Sequence, residues 1–103
     1  MSTCKLTVLS LGAPVLQPFR DDPLCEAVER ATRAGILVVA AAGNRGGTNG
    51  WQPQYPAAYA ADGLGIQVGA SDAWDRRAPW SSYGPGLDLM APGVDIWSCL
   101  MTE

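Results

Sequence analysis

The chain has 103 residues, of which 48% are apolar and 17% charged, a composition typical of one globular domain. Its net charge of −3 at pH 7 gives neither the basic surface that binds nucleic acid nor a polybasic patch for membranes, so we expect neither partner. The absence of histidine removes the commonest general base and the commonest metal ligand.

The first 35 residues predict a short strand followed by a helix. Residues 6–11 form an apolar run that ends at Gly12, as a short strand would. Asp22 before Pro23 is a typical helix start, and Gly35 is suited to end that helix. The N-terminal residues lack both an apolar core and a small-residue cleavage site, so we predict no signal peptide and leave the compartment open.

An unbroken apolar run over residues 36–42 stops abruptly at Gly43-Asn44. Such a run predicts a parallel strand buried on both faces. The strand, helix and strand would form one βαβ unit with a right-handed crossover. In open α/β sheets the functional groups follow the carboxyl ends of the strands, where the side-chain amide of Asn44 can donate to a ligand oxygen.

The second half of the chain predicts further short strands and a polar turn. A Gly/Pro-rich loop follows Asn44, then strands are predicted at residues 66–70, 87–90 and 94–97, the last two separated by Ala91-Pro92-Gly93. Residues 72–77 predict a polar turn. The fold class is therefore α/β, a partial parallel sheet with flanking helices.

Several other patterns are weaker candidates for a functional site. The Gly-rich loop after Gly43 lacks the spacing of a dinucleotide or P-loop motif, so a small nucleotide-binding α/β domain is a weak alternative. Ser10 has neither a histidine nor a nucleophile elbow around it, and helix capping accounts for Asp22. The three scattered cysteines predict isolated thiols, without a disulfide or a zinc site.

Five segments of the chain form a recognisable series. They are Leu9-Ser10-Leu11-Gly12, Val38-Val39-Ala40-Ala41-Ala42-Gly43-Asn44, Tyr55-Pro56-Ala57, Val68-Gly69-Ala70-Ser71, and residues 80–96 from Trp80 to Ile96. Subtilisin-like serine peptidases carry similar segments in the same order and at similar spacing, so the chain resembles this family from about Leu6 onward. The resemblance implies that residues 1–103 are the central, substrate-binding part of a subtilisin-like catalytic domain.

The resemblance also implies roles for individual residues. Asn44 would donate its amide to the oxyanion of a tetrahedral intermediate. The remaining predicted site residues would bind a peptide or protein substrate, either by strand pairing or by lining the pocket for the residue before the scissile bond. They are Ser10, Leu11, Gly12, Ala41, Ala42, Gly43 and Tyr55.

The same resemblance implies no cofactor, apart from a weak cation site near Asp88 that is faint because Gly86 replaces the usual acidic neighbour. It places the Asp, His and Ser of the catalytic triad outside these residues, so we expect the chain to be catalytically incomplete alone. The alternative is a non-catalytic peptide-binding module on the same scaffold. With part of the sheet's cover missing, we expect marginal stability and self-association through an exposed sheet edge.

Overall fold

The computed structural model describes residues 5–14, 21–46, 54–58, 65–84 and 86–99. Within these ranges, the chain forms six strands and one helix. In chain order they are β1 (Leu6–Leu9), β2 (Ala13–Pro14), α1 (Pro23–Arg33), β3 (Leu37–Ala41), β4 (Gln54–Tyr55), β5 (Ile66–Ser71) and β6 (Leu89–Pro92).

Four of the strands form one parallel sheet in the order β1-β3-β5-β6. Leu6 pairs with Leu37, Val39 with Ile66, and Val68 with Leu89. Every carboxyl end of this sheet therefore lies along the same edge. The partial parallel α/β sheet is thus confirmed, and β1 is an edge strand. Self-association through that edge stays a prediction.

Helix α1 begins and ends where the sequence predicts. The Asp22 carboxylate caps it by accepting from the N–H groups of Leu24 at 2.9 Å and Cys25 at 3.2 Å, and Pro23 occupies the first turn. Gly35 follows the helix with φ +86°, a left-handed conformation that glycine adopts without steric cost. These two residues fix the length of the helix.

The helix covers one face of the sheet. Its Cys25 and Val28 form the core cluster with Val38 of β3 and Tyr55 of β4. Burial, and secondarily the negative charge of Asp22, raise the pKa of the Cys25 thiol to about 11. Cys25 is therefore a neutral core side chain at physiological pH, and both it and the exposed Cys99 are free thiols, as predicted. Cys4 lies outside the described residues.

The opposite face of the sheet carries only apolar side chains, and none of them is buried. Val8, for example, is 67% exposed, whereas Val38 and Ala40 on the covered face are 4% and 3% exposed. The expectation that the strand over residues 36–42 is buried on both faces is therefore wrong, because no described element packs on its second face. The uncovered side chains are Leu6, Val8, Leu37, Val39, Ala41, Ile66, Val68, Ala70, Leu89 and Ala91.

The last strand differs from the two that the sequence predicts. A single strand, β6, spans Leu89–Pro92, and residues 94–97 lie outside the sheet with Trp97 fully exposed. Pairing with β5 decides the position, since Asp88 N–H donates to Gln67 O at 3.0 Å and Gly93 N–H to Ser71 O at 3.0 Å. Pro92 is tolerated because β6 is an edge strand that needs no outward donor there.

Two shorter features also depart from the sequence prediction. Strand β1 ends at Leu9, not at residue 11, and the chain then forms β2, which pairs antiparallel with β4.

Among the described helices, none is long and apolar enough to span a membrane.

The predicted polar turn after β5 is organised by Asp72. Its carboxylate accepts from the backbone N–H groups of Trp74 and Arg76, both at 2.9 Å, and from the Arg76 side chain at 3.1 Å. These donors, above all the Arg76 N–H, hold the pKa of Asp72 below its usual value near 3.8.

Since the charged carboxylate is favoured in the folded state, Asp72 stabilises the fold above its usual pKa. That contribution disappears as the pH falls through the lowered folded-state pKa. We expect Asp72→Asn to lower the urea midpoint at pH 7, and the deficit to shrink as the pH falls below about 4. Asp75→Asn is the control, because Asn tolerates the left-handed φ of 59° at that position. Equal midpoints for Asp72→Asn and the parent chain at pH 7 would contradict this assignment.

Candidate functional site

A cleft of about 290 Å³ lies where β1 and β3 end. Both strands run in the same direction with Leu9 opposite Ala40, so the residues that follow them emerge side by side. Seven of the residues that the structure describes line the cleft: Ser10, Leu11, Gly12, Ala41, Gly43, Asn44 and Arg45.

The turn that follows β3 is held by backbone hydrogen bonds to the segment before β6. The Ser82 N–H donates to Gly43 O at 2.9 Å, and the Gly46 N–H to Trp80 O at 3.2 Å. Between them, the Arg45 N–H donates to the Ser82 Oγ at 3.2 Å. The turn over residues 43–46 is therefore fixed at three points, although it lies in a loop.

Gly46 is required at the end of this turn because the two segments approach so closely. A Cβ atom added there would lie 2.0 Å from the backbone oxygen of Ser81 and 2.8 Å from the Cα of Ser82. Gly43 has a φ of +114°, which a residue with a side chain rarely adopts. The two glycines let the backbone carry Asn44 and Arg45 into the cleft.

Ser81 and Arg77 fix the position of residues 80–82, the segment before β6 that contacts this turn. Ser81 is 1% exposed, and its hydroxyl accepts from the Ala70 N–H of β5 at 2.9 Å. The Arg77 guanidinium donates to Ser81 O at 2.7 Å, to Ala78 O at 3.2 Å and to Pro79 O at 3.3 Å. It also lies over the Tyr83 ring, 4.3 Å from the centroid. The Arg77 side chain thus contacts the segment from Ala78 to Tyr83 along its length.

The side chain of Asn44 is available to a ligand. It is exposed and lines the cleft, and its amide has no hydrogen-bond partner in the described part of the chain. Its backbone is fixed on both sides by the bonds of Gly43 and Arg45. An exposed amide on a fixed turn is suited to donate to an oxygen of a bound molecule.

A second cleft of about 350 Å³ adjoins the first on the uncovered face of the sheet. It shares Ser10, Ala41, Gly43 and Asn44, and it is also lined by the buried Ala42.

The structure brings six of the eight predicted site residues together in the first cleft and places Ala42 beside it. Tyr55 lies elsewhere, 7% exposed in the core cluster beneath α1, and lines neither cleft. Its predicted role in the pocket stays a prediction.

Asp88 is engaged in the fold. Its Oδ2 accepts from the Gln67 N–H at 2.7 Å, which joins β5 to the start of β6. Within the described ranges, no group of three acidic, cysteine or histidine side chains could hold a metal ion. The cation site near Asp88 also stays a prediction.

Sequence reasoning did not identify the supporting contacts of Arg77 and Ser82. The only signal was the match of the segment beginning at Trp80-Ser81-Ser82-Tyr83 to the subtilisin-like pattern. That match marks the segment without indicating which atoms it contacts.

Comparisons with known proteins show which family and which structures the chain resembles. The model of the Subtilase family matches residues 3–103. Subtilisin BL and Subtilisin Savinase, both from Lederbergia lenta, are 46% identical to the chain over 90 residues, which is 87% of the chain and 30% of each relative. A cold adapted subtilisin-like serine proteinase of known structure superimposes with a TM-score of 0.73 and 30% identity, covering 92% of the chain and 31% of that protein. The chain thus spans about a third of the length of these three proteins.

Proposed function

Because the chain belongs to the subtilase family, we propose that it supplies the peptide-binding strand and the oxyanion-binding amide of a subtilisin-like serine endopeptidase. The observation that carries this proposal is the cleft at the carboxyl ends of β1 and β3. It unites Ser10, Leu11 and Gly12 with Asn44, whose amide is exposed and unpartnered within the described residues.

The two sides of the cleft would have different roles, one in binding the peptide backbone and the other in stabilising the oxyanion. Residues 10–12 follow an edge strand, and an extended peptide can pair with such a backbone. Asn44 would then donate to the carbonyl oxygen of the bond under attack. That oxygen gains negative charge in the tetrahedral intermediate, so a preorganised donor stabilises the transition state more than the substrate.

The remaining chemistry needs groups that these residues do not contain. Acyl transfer by a serine requires a base to remove its proton, usually histidine, and the chain has none. We therefore infer that these 103 residues form no acyl-enzyme by themselves. Their contribution is to bind the substrate and to receive the developing charge.

We expect the isolated chain neither to hydrolyse peptides nor to be labelled by a fluorophosphonate probe, as followed by mass spectrometry. A hybrid in which the 90 matching residues of the chain replace their counterparts in Subtilisin BL should be labelled and should hydrolyse peptides. Labelling of a serine in the isolated chain would overturn the inferred incompleteness. A folded hybrid that lacks activity would count against the proposed role in the peptidase.

The absence of histidine also favours a second candidate, a peptide-binding module without peptidase activity. It would use the same cleft and the same edge residues 10–12. Calorimetric titration of the chain with capped peptides, followed by mass spectrometry of those peptides, tests it. Saturable binding without cleavage, together with a folded hybrid that has no activity, would support it over the peptidase role, and the absence of binding would exclude it.

A further inference from the structure

We propose that the cleft formed by residues 10–12 and 41–45 selects peptides that place an acidic side chain, Asp or Glu, in it. Arg45 would be the residue that recognises the carboxylate. This inference rests on the proposed function, because it needs a peptide in the cleft, and it goes further by naming the chemical class of the side chain.

The first support is the charge of the cleft. Arg45 is the single charged residue among the seven that line it. Arg45 is exposed, and in the described part of the chain it makes no ion pair, since the two ion pairs join Glu29 to Arg33 and Asp72 to Arg76. A cation with no acidic side chain among the described lining residues favours an anionic ligand.

The second support is the polarity of the walls. Of the seven described residues that line it, only Leu11 and Ala41 carry an apolar side chain, and most of the apolar lining belongs to the adjoining cleft. The apolar area that a ligand side chain can bury within this cleft is therefore small, and the hydrophobic gain scales with buried area. A carboxylate can instead accept two parallel hydrogen bonds from a guanidinium group.

The third support is the fixed backbone from which the Arg45 side chain projects. The Arg45 N–H donates to the Ser82 Oγ at 3.2 Å, and the next residue, Gly46, donates to Trp80 O at 3.2 Å. Arg45 also directly follows Asn44. Both residues line the same cleft, so a peptide bound there lies close to Asn44 and to Arg45.

The test titrates the full 103-residue chain with capped Ala-rich peptides that differ at one position, Glu, Gln or Lys. Acetylated and amidated ends leave the side chain as the only carboxylate. At low salt we expect the Glu peptide to bind about two- to fivefold more tightly than the Gln peptide, the range for an exposed ion pair. The preference should shrink at about 0.5 M NaCl, where charges are screened.

Variants assign the preference to one residue. Arg45→Gln should make the Glu and Gln peptides bind equally, and Arg45→Glu should favour the Lys peptide. Arg30→Glu is the control, because it makes the same change of charge on the exposed surface of α1, and it should keep the preference for Glu.

Equal binding of the Glu and Gln peptides to the parent chain would overturn the acidic selectivity while the proposed peptide binding stands. A preference for Glu that survives Arg45→Gln would overturn the role of Arg45. Failure of all three peptides to bind would instead contradict peptide binding by the chain, and the selectivity would fall with it.

Discussion

Replacing Asn44 with Ala in the Subtilisin BL hybrid is expected to lower kcat by about 10²–10³-fold and to leave KM nearly unchanged. That magnitude is carried over from a subtilisin whose oxyanion-binding Asn was removed, and it does not come from the geometry of this chain. The split between kcat and KM follows from the proposed role, because the amide meets full negative charge only in the transition state.

Two further variants separate this role from simple damage to the turn. Asn44→Asp keeps the size of the side chain and removes the donor, so it should resemble Asn44→Ala. Asn44→Gln keeps a donor but displaces it, so it should retain more activity than Ala. Because Asn44 is exposed, none of the three should shift the urea midpoint of the hybrid. A fall in kcat of less than about threefold for Asn44→Ala would remove Asn44 from the proposed mechanism.

Replacing Gly46 with Ala is expected to lower the free energy of unfolding by about 3 kcal/mol, the upper end of the usual cost of overpacking. The added Cβ would lie 2.0 Å from the Ser81 backbone oxygen, and a backbone atom cannot rotate away as a side chain would. Separating the two segments would also weaken the bonds from Gly46 to Trp80 and from Arg45 to Ser82.

Gly35→Ala is the matched control for Gly46→Ala. A Cβ at Gly35 meets nothing within 4 Å, so only its φ of +86° opposes the substitution, at a cost of about 1–2 kcal/mol. Urea unfolding of both variants gives the comparison, and peptide titration separates them further. Gly46→Ala should weaken binding in the cleft, whereas Gly35→Ala should not. If Gly46→Ala cost no more stability than Gly35→Ala, the close approach would not be a constraint on this turn.

Local signals predicted much of the fold. Asp22, Pro23 and Gly35 bound the helix correctly because capping depends on residues close in sequence. The apolar run before Gly43 located β3. The resemblance to subtilisin-like peptidases assigned site roles to residues 10–12 and Asn44, which line one cleft in the structure.

The features that sequence reasoning missed depend on contacts between distant positions. The hydrogen bond from Arg45 to Ser82 joins residues 37 positions apart, and no local sequence pattern predicts it. Pairing with β5 placed the last strand at Leu89–Pro92, although Pro92 favoured a break. The uncovered face of the sheet could not be inferred either, because an apolar run reveals a strand without showing what packs on each side of it.

The parallel pairing of the sheet has a consequence for how the chain reaches its fold. Leu6 pairs with Leu37, Val39 with Ile66 and Val68 with Leu89, so partner residues lie roughly 20–30 positions apart in sequence. A chain dominated by such separations must lose the entropy of closing large loops before strand pairing can stabilise it. Its folding rate is correspondingly low. During that search the future strands are exposed to other copies, so the yield of refolding should fall as the protein concentration rises.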